Sequence, residues 1–203
     1  MKIVVARKSL RWMLRSIQLA LFAIAISTLA YCGFVLEDTW IFQHEERRQF
    51  DQLLAARQRA AYNAPPESAP PVVKGDLIGL IKIPRLGVSV IVIEGTSATT
   101  LRRAAGHISG TALPGQPGNV GIAGHRDSFF LPLQNIRTND TITLTTLSGE
   151  YRYRVVSTRV VGPTDIAVLN RSANEILTLV TCYPFYFVGA APDRFIVRAE
   201  RIT

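Results

Sequence analysis

The stretch Ile176-Leu-Thr-Leu-Val-Thr-Cys182, followed by Tyr183-Pro184, predicts a β-strand that ends at a turn. β-Branched and aliphatic residues favour an extended backbone, and the proline marks the end of the run. Similar runs, bounded by Gly, Pro, Asn or Asp, occur at 78–83, 89–94, 119–124, 141–147, 151–161 and 194–200. Seven or eight short strands in about 125 residues, with helical patches near 98–105 and 128–136, predict a compact β-barrel or sandwich.

The first third of the chain has a different composition. Residues 16–36 carry no charged side chain over 21 positions, about the length that a helix needs to cross a membrane. Five basic residues precede this segment, and Glu37 and Asp38 follow it. The positive-inside rule then predicts a single-pass type II protein with a cytoplasmic N-terminus. A cleaved signal peptide is the main alternative, but its apolar run is usually about 7–15 residues.

A charged segment and a proline-rich segment connect these two regions. Residues 41–61 have mixed charges and predict a solvated helical stalk, and residues 64–72 hold four prolines and predict a semi-extended linker. We therefore predict a cytoplasmic basic tail at 1–15, a transmembrane anchor at 16–36, a helical stalk and Pro-rich linker at 37–75, and a β-rich domain at 76–203. A chain that starts near Asp76 should then fold by itself.

The formal net charge is +8, but the positive charge is not concentrated in the β-rich part. Residues 76–203 contain 13 basic and 9 acidic side chains, and the arginines are scattered. A nucleic-acid-binding domain would have a clustered basic face, so we predict no nucleic acid as a partner. A mildly basic domain tethered to a lipid bilayer suits anionic lipids or envelope polymers.

The two cysteines have different predicted settings. Cys32 lies in the apolar segment, where a free cysteine acts as a small hydrophobic residue. Cys182 ends a predicted strand on the outer side of the membrane, where no second cysteine is available for a disulfide bond. A cysteine at an exposed strand end is well placed to act as a nucleophile.

Two side chains are candidates to assist this nucleophile. If the strand that ends at Cys182 pairs antiparallel with 194–200, Arg194 lies beside the sulfur. His125 follows the run 119–124 and needs that strand to end at the same edge. Imidazole exchanges protons near neutral pH, and a guanidinium is a planar cation suited to an oxyanion or a carbonyl. Each alone could be a solvated turn residue, but the three together indicate an enzyme.

The motif Thr178-Leu-Val-Thr-Cys182 resembles the TLxTC signature of sortases, the membrane-anchored cysteine transpeptidases of bacterial surfaces. Several blocks are most similar to class D sortases. The resemblance implies a mainly β fold, the eight-stranded sortase β-barrel with short helices, preceded by an N-terminal transmembrane helix. Further blocks occur in family order across nearly all of 76–203: Ile78-Gly-Leu-Ile-Lys-Ile-Pro84, Leu113-Pro-Gly-Gln-Pro-Gly-Asn119, Ala123-Gly-His-Arg-Asp127, Thr181-Cys-Tyr-Pro-Phe185 and Ala191-Pro-Asp-Arg-Phe-Ile-Val197.

The same resemblance implies the reaction. Cys182 would attack an LPxTG-like sorting signal and form a thioacyl-enzyme, His125 would exchange protons with the leaving and incoming amines, and Arg194 would hold the carbonyl region. The implied substrates are surface proteins or pilins with a C-terminal sorting signal, and the acceptor is an amine such as a peptidoglycan precursor or a pilin lysine. Such a thiol protease, a hydrolase and transpeptidase, anchors or polymerises proteins at the cell surface. Its catalytic domain would lie outside the bacterial cell membrane.

The resemblance also implies a groove for the sorting signal. Ala123, Val168, Leu169 and Val180 match groove-lining positions of related sortases. Thr181, directly before the nucleophile, could assist the oxyanion or the substrate backbone. The alternative for the four apolar residues is ordinary barrel core.

The remaining histidines and acidic residues indicate no further chemistry. His107 ends no clear predicted strand and is expected to be structural, and His44 lies in the predicted stalk and is expected to be solvated. No cluster of Cys, His, Asp or Glu has metal-ligand spacing, so we predict no metal and no cofactor.

Two other functions compete with a transpeptidase. A papain-like cysteine hydrolase places its cysteine at a helix N-terminus and its histidine downstream, whereas here the cysteine ends a strand and the histidine lies upstream. A non-catalytic, membrane-tethered binding domain could keep the same fold. The presence of all three catalytic residue types argues against that second alternative.

Overall fold

The computed structural model describes residues 6–60, 72–186 and 189–202, which divide into two compact units that meet in sequence between Ile41 and Phe42. One long helix, α1 (Ala6–Ala60), contributes residues to both units. Residues 1–5 of the predicted tail and 61–71 of the predicted linker lie outside the described residues.

The part of α1 before Phe42 is apolar and exposed. Among the described residues, α1 is the one helix that is long and apolar enough to cross a membrane, with a mean hydropathy of 2.2 over its best window and none of that window buried. Its large exposed side chains include Trp12, Leu19, Leu29 and Phe34. Length and composition therefore fit the predicted membrane anchor.

The second unit contains a closed β-barrel. Within residues 72–186 and 189–202, short helices connect the strands: α2 (Ala98–Arg103) and the 3₁₀ helices Pro84–Leu86, Leu131–Asn135 and Ile166–Leu169. The predicted eight-stranded β-barrel with short helices is confirmed. The strands are β1 (Leu77–Ile83), β2 (Val88–Glu94), β3 (Ala105–His107), β4 (Asn119–Ala123), β5 (Thr141–Thr146), β6 (Gly149–Val161), β7 (Ile176–Tyr183) and β8 (Asp193–Ile202).

The barrel order is β1-β2-β3-β4-β7-β8-β6-β5, and β5 pairs with β1 to close it. The pairs β2–β3 and β4–β7 are parallel, and the other pairs are antiparallel. Alternate side chains point into the barrel, where Ile81, Ile122, Tyr153 and Leu179 are fully buried. Burial of each large apolar side chain contributes about 1.5–3 kcal/mol, so this interior is the main source of stability.

The strand β3 was not predicted from the sequence. The helical patch expected over 98–105 stops at Arg103, and Ala105–His107 then pairs with both β2 and β4. The expectation that His107 ends no strand is therefore wrong. A three-residue strand containing glycine carries too little alternation to be recognised.

The expectation of a solvated stalk is also wrong for the last part of α1. Phe50 is fully buried in a second apolar cluster on β1 and β2, where it packs with Leu80, Ile91 and Ile93. Phe42 and Leu54 pack against the same cluster. These residues lie eight and four positions from Phe50 and share one face of the helix.

Polar contacts add to this packing. The amide of Gln43 donates to the carbonyl of Arg103 at 2.6 Å, and its oxygen accepts from the N–H of Ile91 at 3.1 Å. Arg47 donates to the hydroxyl of Ser89. This segment therefore has an apolar face that packs in the folded unit, although its many charged residues indicated a solvated helix.

Candidate active site

The ends of three neighbouring strands form the candidate site. In the parallel pair β4–β7, Ala123 is the partner of Val180, so both strands finish at the same end of the barrel. In the antiparallel pair β7–β8, Cys182 is the direct partner of Arg194. Both arrangements agree with the geometry expected from the sequence.

Strand alternation places Cys182 and Arg194 on one face of the sheet. Leu179 of β7 and Val197 of β8 point into the barrel core, so the side chains at odd separations from them point outward. Directly opposite residues in an antiparallel pair have Cβ atoms about 4.5–5.5 Å apart. The thiol and the base of the arginine side chain are therefore neighbours, and both residues are half-buried.

The guanidinium of Arg194 is held by the backbone of its own turn. Its Nη1 donates to the carbonyl of Asp193 at 2.9 Å and to that of Ala191 at 3.2 Å. These bonds restrict a long side chain that would otherwise lose much rotamer entropy on binding a substrate.

His125 stands exposed in the turn that follows β4. The N–H of Gly124 donates to the carbonyl of Val180 at 3.1 Å, which extends the β4–β7 pairing beyond Ala123. The carbonyl of His125 accepts from the N–H of Phe130 at 3.0 Å. The turn thus brings His125 to the level of Cys182 on the neighbouring strand.

Gly124 is required by the packing beneath this turn. A Cβ at that position would lie 2.6 Å from Cδ2 of Phe130, a fully buried side chain. Any larger residue would move the turn that carries His125. Sequence analysis missed this role of Gly124 and Phe130, although a glycine directly before a candidate catalytic residue was a visible signal.

Arg126 links this turn to the segment between β7 and β8. Its Nη2 donates to the carbonyl of Gly189 at 2.9 Å. The two loops that flank the candidate nucleophile are therefore connected by a side chain adjacent to His125.

Thr181 differs from its expected role. Its side chain shares the inward face of β7 with Leu179, is only 2% exposed, and donates its hydroxyl to the carbonyl of Gly124 at 2.8 Å. The hydroxyl thus fixes β7 to the end of β4 and points away from the outer face that carries Cys182.

The residues predicted to line a groove lie on or beside the outer face of β4 and β7. Ala123 and Val180 are half-buried partners beside the cysteine. The 3₁₀ helix Ile166–Leu169 packs beside β4, because the side-chain amide of Asn119 donates to the carbonyl of Val168 at 3.0 Å. Ala123 and Val180 are thus strand partners, whereas Val168 and Leu169 reach β4 from the 3₁₀ helix. Val168 is 4% exposed, and Leu169 is half-buried.

A cavity of about 300 Å³ is formed in part by the residues that follow Cys182 in the chain. Gln134 of the 3₁₀ helix Leu131–Asn135 lines it together with Tyr183, Pro184, Phe185 and Tyr186. The rings of Tyr183 and Phe185 meet edge to face at 6.1 Å. Sequence analysis did not identify Gln134 or Tyr186 as site residues.

The other histidines lie elsewhere. His107 is 2% exposed at the end of β3, with Nδ1 2.5 Å from Oε2 of Glu94. His44 is exposed on α1. In the part of the chain that the structure describes, no three His, Cys, Asp or Glu side chains cluster as a metal site would require.

Comparison with known proteins agrees with this geometry. A family model described as the Sortase domain matches residues 81–202. Sortase D of Bacillus subtilis is 33% identical over 130 residues, which cover 64% of this chain and 66% of that protein. Sortase A of Listeria monocytogenes is 31% identical over 113 residues, covering 54% of this chain and 50% of that protein. The matches thus span less than two thirds of either relative.

Solved structures show the same barrel. The structure of a Clostridium perfringens Sortase D5 transpeptidase superposes with a TM-score of 0.64 at 29% identity, covering 80% of this chain and 96% of that one. Sortase C from Clostridium perfringens superposes with a TM-score of 0.59 at 27% identity, covering 78% and 90%. The predicted similarity to class D enzymes is confirmed.

Proposed function

This chain belongs to the sortase family, and we propose that it is a membrane-anchored cysteine transpeptidase with Cys182 as nucleophile. The observation that carries the proposal is the register of β7 and β8, in which Cys182 and Arg194 are direct partners on the outer face. A cation beside a thiol favours the thiolate, which is the reactive nucleophile.

In the first half-reaction, the thiolate of Cys182 attacks the carbonyl carbon of a Thr–Gly-type bond in an LPxTG-like sorting signal. A carbon–sulfur bond forms, and the carbon–nitrogen bond breaks. His125 gives its proton to the leaving amine, so that the product is a thioacyl-enzyme and a free amino terminus. Arg194 stabilises the oxyanion that develops on the carbonyl oxygen.

In the second half-reaction, an incoming amine attacks the thioester. His125 takes the proton from this amine, an amide bond forms, and the sulfur leaves as thiolate. The donors are surface proteins or pilins with a C-terminal sorting signal, and the acceptor is a peptidoglycan precursor or a pilin lysine. The result is the anchoring or polymerisation of proteins at the cell surface.

The groove along β4 and β7 binds the sorting signal. Ala123 and Val180 are partly exposed near Cys182, and Leu169 of the 3₁₀ helix lies over Gly121, two positions before Ala123. An extended peptide that follows this face would meet apolar side chains before it reaches the nucleophile. Val168 is buried with its carbonyl bonded to Asn119, and Thr181 keeps the ends of β4 and β7 together.

The apolar part of α1 holds the enzyme in the membrane. Its length and hydropathy support a single-pass anchor at 16–36. The basic residues before this segment favour a type II orientation with the barrel outside the cytoplasm.

Mass spectrometry of the intact chain tests the proposal. The full chain in detergent is incubated with a peptide that contains an LPxTG-like signal, and we expect a covalent adduct on Cys182 that hydroxylamine releases. Cys182→Ala should form no adduct and no product. Its melting temperature should stay within a few degrees of the wild type, because a half-buried thiol contributes little packing.

The chain offers a matched control. Cys32 is the other cysteine and lies exposed in the anchor, so Cys32→Ser should keep both adduct and turnover. Turnover by Cys182→Ala, or an adduct that maps to Cys32, would contradict the assignment of the nucleophile.

A further inference from the structure

His107 lies in a buried polar network that the reaction does not use. Its Nδ1 is 2.5 Å from Oε2 of Glu94, and its Nε2 is 2.9 Å from the carbonyl of Ala112. The other carboxylate oxygen of Glu94 accepts the hydroxyl of Ser109 at 2.6 Å. His107 is 2% and Glu94 8% exposed, so water does not satisfy these groups.

The hydrogen bonds determine which nitrogen of His107 carries a hydrogen. A carbonyl oxygen can only accept, so Nε2 must donate to Ala112. The hydroxyl of Thr111 donates to the carbonyl of Ile108 at 2.6 Å, and it therefore accepts from Nε2 at 3.1 Å. One further proton lies between Nδ1 and Glu94. Both ring nitrogens are thus engaged.

The network extends from His107 to β4. Thr111 Oγ1 also accepts the backbone N–H of Gly121 at 3.1 Å. The N–H of Ala112 donates to the carbonyl of Asn119 at 3.0 Å, while its carbonyl is held by His107. His107 therefore joins the loop 108–118 to β2 through Glu94, together with the direct bond from Ser109 to the same carboxylate.

The same loop closes one end of the groove. Gly121 points to the outer face of β4, between the inward-facing residues Val120 and Ile122. A Cβ at Gly121 would lie 3.1 Å from Leu169 and Thr111 and 3.2 Å from Ile108. Side chains of the loop and of the 3₁₀ helix therefore meet over Gly121, and the face is more open at Ala123, next to Cys182.

We propose that His107 and Glu94 are positioning residues that hold the loop 108–118 against β4 as one wall of the sorting-signal groove. The proposal rests on the proposed function for the meaning of the groove. It assigns His107 a role in binding the peptide through the placement of Ile108 and Thr111, and no contact with the reacting atoms.

The main test compares His107→Leu with Thr146→Val in the full chain in detergent. Thr146 is 6% exposed and bonds the turn between β5 and β6, across the barrel from β4 and β7. Thr146→Val therefore controls for a general loss of stability. His107→Leu should raise KM for the peptide by roughly 3- to 30-fold with a smaller change in kcat, as expected when a binding wall is loosened.

Amide hydrogen exchange provides a readout that does not depend on turnover. His107→Leu should speed exchange in the segment 108–121, whereas Thr146→Val should leave that segment protected. Faster exchange with an unchanged KM would show that His107 holds the loop but that the loop does not form a wall of the groove. That result would overturn the proposal. Unchanged exchange in 108–121 would overturn it as well.

Two milder variants keep the test decisive if His107→Leu does not fold. Thr111→Val keeps the shape of the side chain and removes its hydrogen bonds, so it should raise KM in the same direction. Glu94→Gln should keep KM near the wild-type value. The amide of the glutamine can donate to Nδ1 of a neutral imidazole, while its oxygen still accepts from Ser109. A KM for Glu94→Gln as high as that of His107→Leu would contradict a network of hydrogen bonds.

The proposed function can fail separately. If the wild type forms no adduct on Cys182, the transpeptidase assignment is wrong, and the groove part of the proposal falls with it. The exchange measurement still decides whether His107 positions the loop.

Discussion

The two ends of the barrel differ in how their polar side chains are used. Where β4 and β7 finish, His125 is exposed and Cys182 and Arg194 are half-buried. Where β7 begins and β8 finishes, the hydroxyl of Tyr153 donates to the carboxylate of Glu175 at 2.5 Å, and Arg201 contacts the same carboxylate at 3.5 Å.

This difference separates reactivity from stability. Side chains that contact a substrate must keep some polar atoms accessible, whereas buried polar groups must be satisfied by the protein. The aromatic rings at the far end also hold Arg201, whose guanidinium lies 5.1 Å from the centre of the Tyr151 ring. We expect substitutions at the first end to change turnover and substitutions at the second end to change the free energy of unfolding.

The largest expected effect is that of His125→Ala. Loss of the proton carrier should lower transpeptidation by roughly 10²- to 10⁴-fold. The melting temperature should not change, because His125 is exposed. Steady-state kinetics with a sorting peptide, together with a thermal melt, checks both statements. A large fall in melting temperature would break the proposed division between the two ends.

The second prediction concerns the helix that packs on β1 and β2. Phe50→Ala should destabilise the fold by about 3–5 kcal/mol, because it removes a fully buried aromatic side chain. Denaturant unfolding measures this change, and Leu53→Ala on the exposed side of the same turn is the matched control. A chain that starts near Asp76 should be less stable than one that starts near Phe42. Equal stability of the two truncated chains would mean that the helix contributes little.

Arg194→Lys should have the next largest effect. It keeps the charge but loses the planar fork, and kcat/KM should fall by about 2–4 kcal/mol of transition-state stabilisation. Alkylation of Cys182 by a small neutral reagent has no oxyanion to stabilise, so its rate should change much less. Equal losses in both assays would mean that Arg194 acts on formation of the thiolate.

The smallest effect is expected for Tyr153→Phe at the far end. Burial raises the pKa of Tyr153 well above its ordinary value, and the Glu175 carboxylate raises it further. The folded protein favours the neutral phenol, and the Tyr153 hydroxyl should contribute about 1–2 kcal/mol to the free energy of unfolding near neutral pH. This contribution should decrease above about pH 10, because the unfolded chain then loses the phenol proton.

Unfolding curves at several pH values check this last prediction. The difference in stability between wild type and Tyr153→Phe should be constant below about pH 9 and narrow at higher pH. Turnover should stay at the wild-type value. A lower kcat in Tyr153→Phe would show that the two ends are coupled.

The placement of the candidate site could be derived from the sequence because local rules determine it. Hairpin geometry alone predicts that Cys182 lies beside Arg194, and the register agrees. The inward direction of Thr181 could also be predicted, because alternate residues of a strand share one face and Thr181 alternates with Leu177 and Leu179. The prediction that Thr181 could assist the oxyanion or the substrate backbone rested on its position before Cys182 and did not take this alternation into account.

Other features depend on contacts that the local sequence does not reveal. The buried face of α1 is formed by Phe42, Phe50 and Leu54 among many charges, and only the apolar surface of β1 and β2 explains it. The role of His107 depends on Glu94, its partner in the parallel pairing of β2 with β3. No periodicity in the chain predicts that pairing.

The parallel pairing of β4 with β7 also affects the order of folding. The chain between the end of β4 and the start of β7 contains 52 residues (124–175), so forming this pair requires closing a long loop at a cost in entropy. Cys182 and Arg194 lie on neighbouring strands of one hairpin, whereas His125 reaches the level of Cys182 only when β4 pairs with β7. The proposed catalytic set is therefore complete only after this long-range pair has formed.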